Sequence, residues 1–473
     1  MSNPTWRLRK RRTGIDGLDT MTHGGLPHCQ ATLVVGEMGT GKTVIGLQIL
    51  ANAIASGGSG VFISFEESPE QIRRNADSFA WGAALNASGA WSIIDARTPV
   101  GAERSGDFGL EALMLAIESR AGEFRDPWIV VDGIDQLLQH ADHSRAIDEM
   151  RHLNERCEKN GWTVLLSGKA GPEGLSPRFL EGIEFMLPTV IRLSASLIDR
   201  RLHRHIRVAK YRGSSHAGEE LPLIINDEGL CIPFIPLVAT DPAPAGNDRV
   251  STGIAALDEL LAGGPYRGSS LLISGRPGTA KSTLCACVAE AAAERGERAL
   301  YLSFDEMEAP FVRNLKSVGV DLETHILAGR LQFMARSASA GLVAEHLLDL
   351  RRQLETFQPQ TLVIDPVSAL FKAGGGKNAR YAVESILALA RQRGITTIMT
   401  SLTDEDDAEG EASIANVSTI ADTWIVLDYN VRAGERNRSL SIAVDRQVPR
   451  FRAFQPAARV DPFRRWTRSR CGL

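Results

Sequence analysis

The sequence is poor in the features that mark secreted, metal-clustered or membrane-embedded proteins. Its 473 residues hold six cysteines, at 29, 157, 231, 285, 287 and 471. None forms a CxxC pair or joins a His/Cys cluster, which argues against a zinc site and against a disulfide framework. Cys285 and Cys287 stand two apart on an expected helix and so point to different faces. Buried thiols in a reducing cytoplasm are the simplest account of them. No uncharged apolar run reaches the ~18 residues that a membrane-spanning helix needs. The basic start (Arg7, Arg9, Lys10, Arg11 and Arg12) is followed by no apolar core, so it does not read as a secretory leader. The net charge is only −4, and bulk charge gives no reason to expect nucleic acid or a membrane as a partner. The expectation is a cytoplasmic protein of ordinary globular composition, long enough for two or three domains.

What the sequence does have is a copy of itself. Thr13-Gly-Ile-Asp-Gly-Leu-Asp19 returns as Thr252-Gly-Ile-Ala-Ala-Leu-Asp258, and Gly24-Gly25 returns as Gly263-Gly264. Gly36-Glu-Met-Gly-Thr-Gly-Lys-Thr43 returns as Gly275-Arg-Pro-Gly-Thr-Ala-Lys-Ser282. Phe65-Glu66-Glu67 returns as Phe304-Asp305-Glu306, and the offset is 239 residues throughout. A constant offset of that length means duplicated domains rather than a solenoid. The expected organisation is a first domain over 1–231, a proline-rich linker over 232–247, a second domain over 248–450 and an arginine-rich tail over 451–473.

Each copy alternates apolar strands with helices. The first predicts strands at Ala31–Gly36, Gly60–Phe65, Trp128–Asp132 and Thr163–Ser167, with helices at Lys42–Ala55 and Pro69–Trp81. The second predicts strands at Ser270–Gly275, Ala299–Phe304, Thr361–Asp365 and Thr396–Ser401, with a helix at Lys281–Arg295. Continuous apolar strands separated by helices imply an α/β fold: two tandem domains, each a mainly parallel sheet covered on both faces. Ligands in such sheets sit at the carboxyl ends of the strands.

The motifs fall at those ends. Gly36-x4-Gly41-Lys42-Thr43, between a strand and a helix, is a P-loop for ATP. Backbone N–H groups around Gly36, Gly39, Thr40 and Gly41 wrap phosphates, Lys42 reaches the β/γ-phosphates and Thr43 holds Mg²⁺. The second loop keeps Gly275, Gly278, Thr279, Lys281 and Ser282, but Ala280 replaces the last glycine. A methyl group there is tolerable if that residue is helical, and with Lys281 and Ser282 kept the loop is expected to bind nucleotide; the alternative is a methyl group that crowds the phosphates in a structural copy. Asp132 and Asp365 end apolar strands and fit a carboxylate that holds Mg²⁺ through water; a helix N-cap is the plainer alternative. Glu66-Glu67 and Asp305-Glu306 are candidates for the base that activates water; a solvated acidic loop is the alternative.

With these residues assembled, the chain resembles the KaiC family of the RecA superfamily, from Thr13 to about Arg446. Two further segments join the resemblance. Lys210-Tyr-Arg212-Gly-Ser-Ser-His216 matches a family motif whose Lys, Arg and His reach a neighbouring subunit's nucleotide. A Lys-x-Arg pair can supply cationic stabilisation to a phosphate, or simply protect an edge strand. In the second domain Val444 stands at the lysine position and Arg446 survives. Val417-Ser418-Thr419-Ile-Ala-Asp422-Thr423 resembles the family's Ser/Thr phosphorylation pair, with Asp305 or Glu306 as base; such pairs are also common in turns. The resemblance implies an ATP hydrolase and serine/threonine autokinase, ATP and Mg²⁺ as cofactors, a homohexameric ring and a KaiB-like or signalling partner in a timing role. The eight arginines from 446 to 470 are expected to form a solvated tail rather than a docking site. Two other readings share the core: a RecA/RadA-like DNA-dependent ATPase, which the absence of a basic aromatic groove disfavours, and a scaffold that binds ATP only to assemble, with an inactive second domain.

Overall fold

The structure is a computed structural model that describes residues 8–97, 110–138, 143–171, 174–198, 200–233, 247–403, 417–432 and 435–445. Two compact units divide at Phe234 and Ile235. Strands of the first are β1 (Lys10–Arg11), β2 (Leu26–Pro27), β3 (Ala31–Gly36), β4 (Gly60–Ser64), β5 (Trp91–Asp95), β6 (Trp128–Asp132), β7 (Thr163–Lys169), β8 (Thr189–Ile198), β9 (Arg201–Tyr211), β10 (Leu221–Asn226) and β11 (Gly229–Cys231). Strands of the second are β12 (Ser270–Gly275), β13 (Ala299–Ser303), β14 (Leu331–Ala335), β15 (Thr361–Asp365), β16 (Thr396–Leu402), β17 (Thr423–Arg432) and β18 (Glu435–Asp445).

The first unit's main sheet runs β11-β10-β9-β8-β3-β7-β6-β4-β5, and the second's runs β14-β13-β15-β16-β12-β17-β18. The central strands are parallel and wholly buried, because Ala31–Gly36 and Ser270–Gly275 are apolar or small on both faces. Two doubly wound α/β domains of the RecA type follow, as the alternation of strands and helices implies. The sequence reading missed the antiparallel part. β8 and β9 form a long hairpin, as do β17 and β18. Their solvent-facing polar residues break the continuous apolar signal that marked the parallel strands.

The helix read over Pro69–Trp81 ends earlier, at Asp77, and a second one covers Gly82–Ala87. The reason is tertiary. The Ala80 N–H donates to Asp227 O at 2.8 Å, across the turn between β10 and β11, instead of continuing the helical ladder. The helix Lys42–Ala55 buries Ile45, Leu47, Ile49 and Leu50 against the sheet. At about 1.5–3 kcal/mol for each fully buried aliphatic side chain, this packing fixes the loop that precedes it.

The repeated Thr-Gly-x3-Leu-Asp segment is a clasp. Thr13 N and Oγ1 donate to Asp19 Oδ1 at 2.8 and 2.7 Å; Thr252 N and Oγ1 donate to Asp258 Oδ1 at 2.8 and 2.6 Å. It shapes the entry to each domain. Ile232 is 5% exposed, packed within the first unit, while 234–246 of the expected linker and the arginine-rich tail lie outside the described residues. Cys157, Cys285 and Cys287 are buried, whereas Cys29 and Cys231 are half-buried. Among the described residues no helix is long and apolar enough to cross a membrane.

Candidate functional site: two phosphate-loop clefts

Parallel register brings the motifs together. Gly36 ends β3, and Ser64 of β4 pairs with Asp132 of β6, so the P-loop, the acidic pair and the strand-end aspartate open onto one cleft at the carboxyl edge. Lys42 Nζ donates to Gly36 O at 2.9 Å and Glu37 O at 2.7 Å, holding the loop curled over the helix start. Burial pulls its ammonium below the usual lysine range, opposed chiefly by Asp132 and then Glu66. Asp132 is 4% exposed. Its Oδ1 accepts a short hydrogen bond from Ser167, and its Oδ2 accepts from Thr43 Oγ1 at 2.9 Å. Burial pushes its carboxyl above the usual range; the Ser167 and Thr43 hydrogen bonds pull it back. A buried carboxylate beside a hydroxyl at the head of the P-loop helix is an all-oxygen donor set suited to a hard cation such as Mg²⁺.

The two adjacent glutamates separate. Glu66 faces the cleft, where Oε1 lies 2.8 Å from Lys169 Nζ. A Cβ at Gly133 would come within 3.1 Å of Glu66 Cγ, so that glycine leaves room for the Glu66 side chain. Glu67 turns the other way and accepts from Asn75 Nδ2 at 2.8 Å on the helix Pro69–Asp77.

The second cleft repeats the plan with changed parts. Lys281 Nζ donates to Gly275 O at 2.7 Å and Arg276 O at 2.9 Å. Lys281, Ser282, Asp305, Glu306, Asp365 and Leu402 line it. Thr400 donates a short hydrogen bond to Asp365 Oδ1, matching Ser167 in the first domain. Lys169 at the end of β7 is replaced by Leu402 at the end of β16. Burial, followed by Asp365, pushes both the Asp305 and the Glu306 carboxyls up.

Ala280 is not right-handed helical. It sits at φ 75, ψ 30, in the left-handed region, as Gly41 does at φ 101, ψ 18. The condition under which its methyl group was tolerable is therefore not met, and the backbone there carries roughly 1–2 kcal/mol of strain. Ala280→Gly is expected to relieve about 1 kcal/mol of it, read as a higher melting temperature for the second domain. Gly41→Ala should act oppositely and more strongly. Besides the strain, its Cβ would lie 2.7 Å from Ile225 Cδ1, so about 1–3 kcal/mol of first-domain stability is expected to be lost in denaturant titration.

Sequence reasoning missed one pair of residues at the loops. Arg204 of β9 donates from Nε to Gly39 O at 2.9 Å, and Arg438 of β18 donates to Gly278 O at 3.3 Å. The signal was present as Arg204 and Arg438 recurring 234 residues apart, but nothing local says that a hairpin brings them to the loop.

Other expected site residues lie elsewhere. Lys210 pairs with Val190, which pairs with Leu33 in the middle of β3, three residues before the Gly36 that opens the P-loop. Lys210 Nζ donates to Phe185 O at 2.9 Å and Arg212 to the same oxygen at 2.8 Å, at the carboxyl end of the helix Pro177–Met186. His216 stacks beside Tyr211, with ring centroids 6.3 Å apart. Val444 pairs with Trp424 as Lys210 pairs with Val190, which gives Val444 the lysine's place in the hairpin. Arg446 lies outside the described residues. Ser418 and Thr419 occupy a turn closed by Ala421 N to Val417 O at 3.0 Å, ahead of β17. Asp422 anchors that turn to the start of β12 by accepting from Ser270 N at 2.9 Å and Ser270 Oγ at 2.7 Å.

A model of the KaiC ATPase family matches residues 11–234 and, a second time, residues 250–456. The chain belongs to the KaiC family. It is 33% identical over 446 residues to the circadian clock protein KaiC2 of Synechocystis sp., covering 93% of this chain and 78% of that one. It is 34% identical over 443 residues to the circadian clock oscillator protein KaiC of Parathermosynechococcus lividus, covering 92% and 81%. A KaiC of Synechococcus elongatus, also a circadian clock oscillator protein, is 34% identical over 442 residues, covering 92% and 84%. Membership of an ATPase family implies ATP binding, for which the two KaiC-family domains here supply two loops.

Proposed function

We propose that this KaiC-family ATPase works in the cytoplasm, hydrolyses Mg-ATP in its first domain and phosphorylates itself on Ser418 or Thr419 in its second, as a timing or signalling regulator. In the first domain Lys42 would bind the β/γ-phosphates and Arg204 would keep the loop in place. Thr43 and Asp132 would hold Mg²⁺, which when bound neutralises charge that develops on the phosphates. Glu66 would take the proton from the attacking water, and Lys169 would keep its carboxylate aimed into the cleft.

The observation that carries the autokinase half is the placement of the turn. Leu271, at the start of β12, pairs with Thr423, at the start of β17, while the second P-loop follows Gly275 at the other end. At about 3.3 Å per residue, the length of β12 puts roughly 16 Å between the acceptor hydroxyls and their own domain's loop. Transfer therefore needs ATP held by another subunit. Lys210, Arg212 and His216 stand at the corresponding far edge of the first domain and would likewise serve a neighbour's nucleotide, with Arg446 as the second domain's cation. A head-to-tail contact that closes gives a ring, and we propose a homohexamer that receives a KaiB-like or signalling protein.

The test is the intact mass of the purified protein after incubation with Mg-ATP, followed by peptide mapping. Mass gained in phosphate steps on Ser418 or Thr419 is expected. The double replacement of both residues by Ala should abolish it while hydrolysis stays within about a factor of two. Ala280, Leu402 and Val444 favour a second reading, in which the second domain binds ATP only to assemble. No mass gain in a protein that binds ATP would select it.

A further inference from the structure

We propose that Tyr301 makes nucleotide binding in the second domain depend on more Mg²⁺ than in the first, by occupying the carboxylate oxygen that Asp365 would otherwise turn to a cation beside Ser282. The inference rests on reading both loops as Mg-ATP sites and adds a residue that differentiates them. In the first domain Asp132 Oδ2 accepts from Thr43 Oγ1, the hydroxyl at the head of the P-loop helix. In the second, Asp365 Oδ2 accepts from Tyr301 Oη at 2.6 Å, a donor that comes from β13 and not from the loop. Tyr301 is the repeat of Phe62, 239 residues on. The register is also the same: Phe62 pairs with Val130 and Tyr301 with Val363, each two residues before the aspartate and on its face of the sheet. One hydroxyl is therefore the difference at this position.

The phenol is not free to leave. Tyr301 is fully buried, stacked on Phe333 with centroids 5.2 Å apart and tilted against Phe311 at 5.0 Å. A buried hydroxyl deprived of its acceptor is unfavourable, so the bond to Asp365 resists displacement by a cation's water shell. With Oδ1 taken by Thr400 and Oδ2 by Tyr301, both carboxylate oxygens are committed to side chains of the sheet. Outer partners of this kind tune how well a carboxylate serves a metal. The ring itself matches Phe62 in size, so the hydroxyl can be added or removed with little change in packing.

The experiment uses the full chain in two backgrounds, Lys42→Ala to leave the second site and Lys281→Ala to leave the first. ATP binding is measured by equilibrium dialysis across a Mg²⁺ titration, with melting temperature as a check on folding. Tyr301→Phe is expected to lower the Mg²⁺ concentration for half-maximal binding at the second site by roughly three- to tenfold, and Phe62→Tyr to raise it at the first by a similar factor. A merely structural tyrosine would shift melting and leave the Mg²⁺ midpoint in place. Unchanged or raised midpoints for Tyr301→Phe, with binding intact, would overturn this inference alone. Binding that ignores Mg²⁺ in both backgrounds would overturn the reading of the loops and this inference with it.

Discussion

Lys42→Ala is expected to lower ATP turnover by about 10²–10³-fold, the loss that follows when one preorganised donor to a developing anion is removed. Lys42 sits at the helix start with its ammonium held by Gly36 O and Glu37 O at 2.9 and 2.7 Å, so its position is set before any nucleotide arrives. Burial pulls its ammonium below the usual range, and a phosphate would oppose that shift by pairing with the charged form. Removing two hydrogen bonds to loop carbonyls should cost the fold only about 1–3 kcal/mol, so the variant remains folded and its defect lies in phosphate binding. The measurement is phosphate release at saturating ATP, with Lys281→Ala alongside. Lys281→Ala should keep most of the turnover. Equal turnover in wild type and Lys42→Ala would remove the first domain as the principal ATPase.

The asymmetry expected between these two lysines marks where sequence reasoning succeeded and where it could not. Both loops were legible because a P-loop is local: a strand, a glycine-rich turn and a helix follow one another, and the lysine's place is fixed within eight residues. Asp132 and Asp365 were legible for the same reason, each ending an apolar strand. Arg204 was not, because its contact with Gly39 exists only after β9 pairs with β8 and β8 with β3. Tyr301 was not, because a tyrosine inside an apolar strand reads as core, and it is core apart from its hydroxyl. Lys210 and Arg212 were legible as a motif, yet their side chains rest on Phe185 O within this chain. Whether they meet a phosphate is a property of the assembly. Ala280 shows the limit from another side. The sequence displayed the substitution, but the sign of its effect depended on φ, which only the folded backbone reveals.

Adjacent carboxylates are the sharpest case, because nothing in the string Glu66-Glu67 says which one does chemistry. The bends that follow β4 send them apart: Glu66 into the cleft beside Gly133 and Lys169, Glu67 toward Asn75. Glu66→Gln is therefore expected to lower turnover by about 10²–10⁴-fold, the usual worth of a positioned general base, while ATP still binds. Glutamine keeps the shape and the acceptor oxygen but cannot take a proton from water. Glu67→Gln should leave turnover within about a factor of two to three, since its amide can still accept from Asn75. Single-turnover hydrolysis with prebound ATP separates the chemical step from binding and checks both variants at once. A large loss in Glu67→Gln with a small one in Glu66→Gln would place the base on the other residue, and the Glu66–Lys169 pair would then be an ion pair that shapes the cleft wall.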